Sequence, residues 1–84
     1  MKLRNLGFAS LAMLEQAGIH SIEQLHQLGS VAAYIAVKKS GAKPGLNLLW
    51  ALEGALTDQH WQDVAQNERL RLLLQLETKE NQPT

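Results

Sequence analysis

Three histidines, four serines and one glycine-rich segment are the residues of this 84-residue chain whose types are suited to chemistry. His20, His26 and His60 are its imidazoles. None stands in the paired-histidine spacing with a glutamate that zinc proteases use, and no neighbouring acid completes a ligand set. The chain has no cysteine, which removes thiolate catalysis, disulfide stapling and cysteine-based zinc sites. Ser10, Ser21, Ser30 and Ser40 all fall at expected helix ends, where capping accounts for a hydroxyl better than nucleophilic attack does. Gly41-Ala42-Lys43-Pro44-Gly45 lacks the spacing of a nucleotide-binding loop. The expectation is a protein that is not an enzyme, holds no metal and needs no cofactor. The chemistry left to it is binding.

One candidate ligand is phosphate. The run Leu3-Arg4-Asn5-Leu6-Gly7-Phe8-Ala9-Ser10-Leu11, followed by Ala17-Gly18-Ile19-His20-Ser21-Ile22, resembles helix-hairpin-helix modules. Modules of that kind occur in DNA-repair proteins and in the C-terminal domain of the alpha chain of RNA polymerase. They place a hydrophobic-glycine turn at the start of a helix. Glycine lets the backbone approach a phosphate, and the free amides of the first turn donate to it. Here the turn and the helix after it are present. The amides are those of Gly7, Phe8, Ala9 and Ser10, with Arg4 as the nearby cation. The simpler reading is that Gly7 and Ser10 only start a helix over Leu3 and Leu6. Charge is unevenly placed: Lys2, Arg4, Lys38, Lys39 and Lys43 outweigh the acids of residues 1–45, and acids outweigh bases in residues 46–84. The formal net charge is nevertheless zero, whereas DNA-binding domains are usually basic overall.

These residues must be positioned by helices. Hydrophobic residues make up 45% of the chain, enough for a globular core and too many for a disordered chain. They are mostly leucine and alanine, both strong helix formers, and no strand-length alternation is present. A first helix is expected from Phe8 to Ala17, with Leu11 and Leu14 on one face and Gly18 as its stop. Ser21 and Gln24 form a capping box for a second helix ending at Gly29, with Ile19 and Leu25 as its hydrophobic staple. Ser30 is expected to cap a third helix, over 31–40, that carries Val31, Tyr34 and Ile35 on one face. After the break at Gly41 to Gly45, a fourth helix over 46–57 is apolar nearly all round and belongs at the centre. Gly54 within it marks a place where a neighbouring helix comes close. Glu53, the lone acid there, is expected to pair with a lysine or arginine, since an unpaired buried carboxylate is costly. Asp58 to Asp63 reads as a turn around Trp61, followed by a last helix over 66–77. Trp50, Trp61 and Tyr34 read as core residues.

The wider pattern is more specific. Leu-Arg-Asn-Leu-Gly at 3–7, Ala-Gly-Ile at 17–19, Leu-Gly at 28–29, Ala-Tyr at 33–34, Leu-Asn-Leu-Leu-Trp-Ala-Leu-Glu-Gly-Ala-Leu at 46–56 and His60-Trp61 resemble the C-terminal domain of the TfoX/Sxy family of competence regulators. The block at 46–56 carries most of that likeness. The resemblance implies bacterial regulation of competence for DNA uptake (DNA transformation), exerted with a transcription regulator at its promoters. It also implies an N-terminal α/β domain in many members. It implies no residue-level site.

The resulting expectation is an all-α bundle of about five short helices with a helix-hairpin-helix-like N-terminal part. Residues 1–78 form the domain and 79–84 a flexible polar tail. No segment is long and apolar enough to span a bilayer, and no signal-peptide pattern opens the chain, so the cytoplasm is expected. Leu70, Leu72, Leu74 and Leu76 cover more of the last helix than one buried stripe needs, and mark a candidate partner surface. The expected partners are a protein of the transcription machinery or a separate TfoX N-terminal-type domain, with a homodimer as a further option. The alternative is sequence-independent DNA binding through Arg4, Gly7, Phe8, Ala9, Ser10, Lys38, Lys39 and Lys43.

Overall fold

Local capping chemistry sets where the helices begin and end. A computed structural model describes residues 5–81. Among these residues the chain forms α1 (Phe8–Gln16), α2 (Ile22–Lys39), α3 (Leu46–Thr57), α4 (Trp61–Asn67) and α5 (Arg69–Glu80), with no strand. None of the helices is long and apolar enough to cross a membrane.

α1 ends as its sequence requires. Gly18 sits at φ +88°. Its amide donates to Glu15 O at 3.0 Å, and Ile19 N donates to Leu14 O at 2.9 Å, the paired bonds of a Schellman ending. Leu14 and Ile19, brought together by that turn, are both buried. The Ser21 hydroxyl then accepts from Gln24 N at 3.1 Å. The Gln24 side chain reaches one residue further back than a standard capping box, accepting from His20 N at 2.7 Å.

α2 is broken at the expected stop, Gly29. That glycine is non-helical, at φ +81° and ψ 168°, so the span consists of two helical pieces that meet at a kink there. Ser30 is not the cap expected of it. Its side chain is buried and its hydroxyl donates to Glu53 Oε1 at 2.7 Å. The Tyr34 hydroxyl donates to Pro44 O at 3.2 Å, which ties the 41–45 segment to α2.

α3 is the centre. Leu49 and Leu52 are fully buried, and Leu48, Trp50 and Ala51 nearly so. It packs mainly against α2 and α4, while α5 packs on α2 and α1 on α2. Leu14, Leu25, Val37, Val64 and Leu72 complete a single core.

Two sequence expectations change at the α3–α4 corner. The turn expected at 58–63 gives way after His60 to a helix. His60 caps α4 by accepting from Gln62 N on Nδ1 at 3.2 Å, and Val64 is buried with Trp61 and Ala65 packed against the core. The helix expected over 66–77 is therefore split at Glu68, where φ is −124°. Gly54 is crowded, but by a loop and not by a helix. A Cβ there would stand 2.5 Å from both Asn5 Nδ2 and Gln59 O. Asn5, at φ +71°, donates to Gln59 O at 2.8 Å and accepts from Trp61 N at 3.4 Å. Gln59 N in turn donates to Gly54 O at 2.8 Å. At the other end, α5 continues through Lys79 and Glu80, which the sequence pattern assigns to a polar tail.

Candidate functional site

Two surfaces hold the residues singled out in the sequence. The first is a cleft of about 360 Å³ between the starts of α1 and α3, lined by Asn5, Ser10, Lys43, Asn47 and Trp61 among others. Gly7 caps α1 and Gly45 caps α3, neither with a side-chain hydrogen bond, and neither first turn holds an acid. Phe8, the first residue of α1, is 95% exposed, and Gly7 and Ala9 are also exposed. The cleft thus brings together Ser10 and Lys43 from the expected DNA contacts.

The other basic residues do not join them. Lys38 forms an ion pair with Glu80 at 2.7 Å and lies 5.9 Å from the centre of the Tyr34 ring. The hydrogen bond it donates to Glu80 holds its ammonium pKa above the ordinary lysine value. Lys39 opens onto a different groove, shared with Lys79. Arg4 and Lys2 lie outside the described residues.

The second surface is the seam between α2 and α5. An opening of about 500 Å³ is lined by Leu28, Gly29, Val31 and Ala32 on one side and by Leu74, Gln75, Thr78 and Lys79 on the other. It continues past Ala32 and Lys79 into a smaller one of about 280 Å³ bordered by Ile35, Ala36 and Lys39. The leucines expected as a partner surface divide here. Leu70 and Leu74 are 71% and 54% exposed, but Leu72 and Leu76 are buried in the core and are withdrawn from the surface. Helix geometry gives the reason: at 100° per residue, Leu72 and Leu76 share the inward stripe and Leu70 and Leu74 share nearly the opposite one.

Ser30 and Glu53 lie at the edge of the larger opening, and the expected partner of Glu53 is Arg71. Glu53 Oε2 accepts from Arg71 Nη2 at 2.9 Å while Oε1 takes the Ser30 hydroxyl. Arg71 also donates to Glu68 at 2.6 Å, and Glu68 takes a further bond from Gln59 Nε2 at 3.1 Å. Arg71 holds the Glu68 carboxyl below its usual range. The two carboxylates raise the guanidinium pKa in return. This network joins α2, α3 and α5, and its acids are occupied in doing so. Among the described residues no group of three histidines or acids is placed to hold a metal ion.

Lys79 is a site residue that the sequence pattern does not single out, because the pattern places it in a tail. The available signal is the run of leucines ending at Leu76, which a helix continuing one further turn carries past Lys79.

Comparison with known proteins gives two findings. The family described as the TfoX C-terminal domain matches residues 1–76. The DNA transformation protein TfoX of Haemophilus influenzae is 34% identical over 74 residues, covering 88% of this chain and 34% of that protein. The chain thus spans about a third of the length of this curated relative. No solved structure matches.

Proposed function

Because the chain belongs to the TfoX C-terminal domain family, we propose that it is a non-catalytic regulatory binding module in competence for DNA uptake, docking on a cytoplasmic protein of the transcription machinery. The observation that carries this reading is the outward leucine pair of α5, Leu70 and Leu74, beside the open α2–α5 seam. Exposed leucine in that arrangement contributes nothing to the core of this domain, and apolar surface rimmed by polar groups marks interaction sites. The acids and hydroxyl near the seam are tied up in the Ser30–Glu53–Arg71–Glu68 network, which supports a structural use for them in place of catalysis.

The test is a chimera. This chain replaces the matching segment of the Haemophilus influenzae relative, and transformation frequency is measured in cells lacking that relative. Restored transformation supports the reading. A chimera that is folded and expressed yet inactive overturns it.

A second reading, sequence-independent DNA binding, is favoured by one observation: Ser10 and Lys43 share a cleft with two helix starts that lack side-chain caps. Anisotropy of a labelled duplex at two salt concentrations tests it. Binding that weakens steeply with salt, with a slope reduced by about one for Lys43→Ala, supports phosphate contact. No binding at low salt ends it.

A further inference from the structure

The α2–α5 seam has a chemical polarity that points to one kind of partner. Its wider end carries exposed apolar side chains, Leu28 at 43% exposure and Leu74, with Ser30, Glu53, Gln75 and Thr78 also lining it. Its narrower end is basic, because Lys39 from α2 and Lys79 from α5 border the same opening. The carboxylates nearest to hand are already engaged: Glu80 pairs with Lys38 and Glu53 with Arg71. Among the described residues neither Lys39 nor Lys79 has a carboxylate partner. Each lysine suits the negative end of its own helix, but that does not explain why two unpaired ammoniums from different helices border one opening beside apolar surface. From Val31 to Lys39, α2 rises roughly 12 Å at about 1.5 Å per residue, which matches about two turns of a partner helix lying along the seam.

We propose that the α2–α5 seam docks an amphipathic helix of a partner protein, with its apolar side chains seated between Leu28 and Leu74 and acidic side chains paired with Lys39 and Lys79. This inference rests on the regulatory-module reading and names the surface and the partner chemistry that reading leaves open. Helix-in-groove recognition uses apolar anchors at i, i+4 and i+7. The charged end supplies register and excludes basic helices, since like charges brought together in a contact are penalised.

The test uses the full chain, isotopically labelled for amide NMR. The probe is a stapled helical peptide of about 14 residues with leucines at i, i+4 and i+7 and glutamates at both ends. Its control carries lysines in place of the glutamates. The expected result is binding of the acidic peptide about tenfold tighter than the basic one, a difference of about 1.4 kcal/mol. Amide shifts are expected at Leu28 to Ile35 and at Leu74 to Lys79. Lys39→Glu with Lys79→Glu, both on the surface, inverts the preference, and Leu74→Gln weakens both peptides.

Equal binding of the two peptides, shifts confined to other surfaces, or no binding up to about 1 mM overturns the inference. So does dimerisation, or a DNA duplex, that moves the same amides in place of the peptide. The chimera separates this from the reading beneath it. If the chimera transforms, and its Lys39→Glu, Lys79→Glu form transforms equally well while the peptides fail to discriminate, only the acidic-helix inference is lost. An inactive chimera removes the regulatory reading itself.

Discussion

The corner between α3 and α4 and the seam between α2 and α5 lie in the same small domain and are built on opposite principles. At the corner, polar groups close on one another. The Asn5 amide bridges Gln59 O and Trp61 N, and Gln59 N folds back on Gly54 O. Gly54 has no room for even a methyl group. At the seam, leucines stay exposed, two lysines have no carboxylate partner among the described residues, and open volume remains. The kink at Gly29 also faces open space, with nothing within 4 Å of where a Cβ would stand. The domain therefore does not lack means to seal a surface. It seals the one that fixes helix order and leaves open the one proposed above to dock a partner.

The two faces of α5 give the sharpest contrast. Leu72→Ala empties a fully buried position and is expected to cost about 2–5 kcal/mol, whereas Leu70→Ala is expected to stay within about 0.5 kcal/mol. Denaturant titration of both variants checks it, and comparable losses would break the division between inward and outward leucines.

Gly54→Ala comes next. Alanine is the better helix former by about 1 kcal/mol, but overpacking against Gln59 O, a backbone atom, costs about 1–3 kcal/mol. A net loss of up to about 2 kcal/mol is expected, which in a domain of this size lowers Tm by roughly 4–8 °C per kcal/mol. A raised Tm would show that the corner is looser than its geometry.

Glu53→Gln keeps the shape but replaces the charged acceptor of Arg71 with an amide. Charge-assisted bonds are the stronger class, and an expected loss of about 1–2 kcal/mol follows. The same variant is expected to leave the seam leucines in place, which amide spectra would report.

The smallest effect is with pH. The folded-state pKa of Glu68 is lowered by Arg71. Its contribution is therefore present above the unfolded glutamate value of about 4.3 and is lost as pH falls below that through the folded value. Glu68→Gln is expected to make the acid side of the stability profile shallower, and an unchanged slope would remove Glu68 from the network that holds α3 to α5.

Much of the fold is legible from residues within one helical turn of each other. Gly18 marks the end of α1, Ser21 the start of α2, and the apolar run at 46–56 the central helix. What is not legible has the same physical origin each time. Ser30 looks like a cap because its partner Glu53 stands on another helix. α4 is inconspicuous because its cap is the imidazole of His60, a weaker sequence signal than serine or aspartate, even though Trp61, Val64 and Ala65 keep helical spacing. For the candidate sites, exposed Leu70 and Leu74 and the free Lys39 are among the residues that the sequence singles out. Their separation from Leu72, Leu76 and Lys38 is not visible there, because a face is chosen by what a helix packs against.

The helical class, most helix ends and the identity of the central helix follow from the order of residues alone, because propensity, capping and periodicity act over about four residues. Which leucines of α5 face out, which lysines keep a free charge and why residue 54 must be glycine are settled at longer range. Those outcomes rest on Ser30 meeting Glu53, Lys38 meeting Glu80 and Asn5 meeting Gln59, contacts 23, 42 and 54 residues apart. Pairings at that range exist only once packing has brought the helices together.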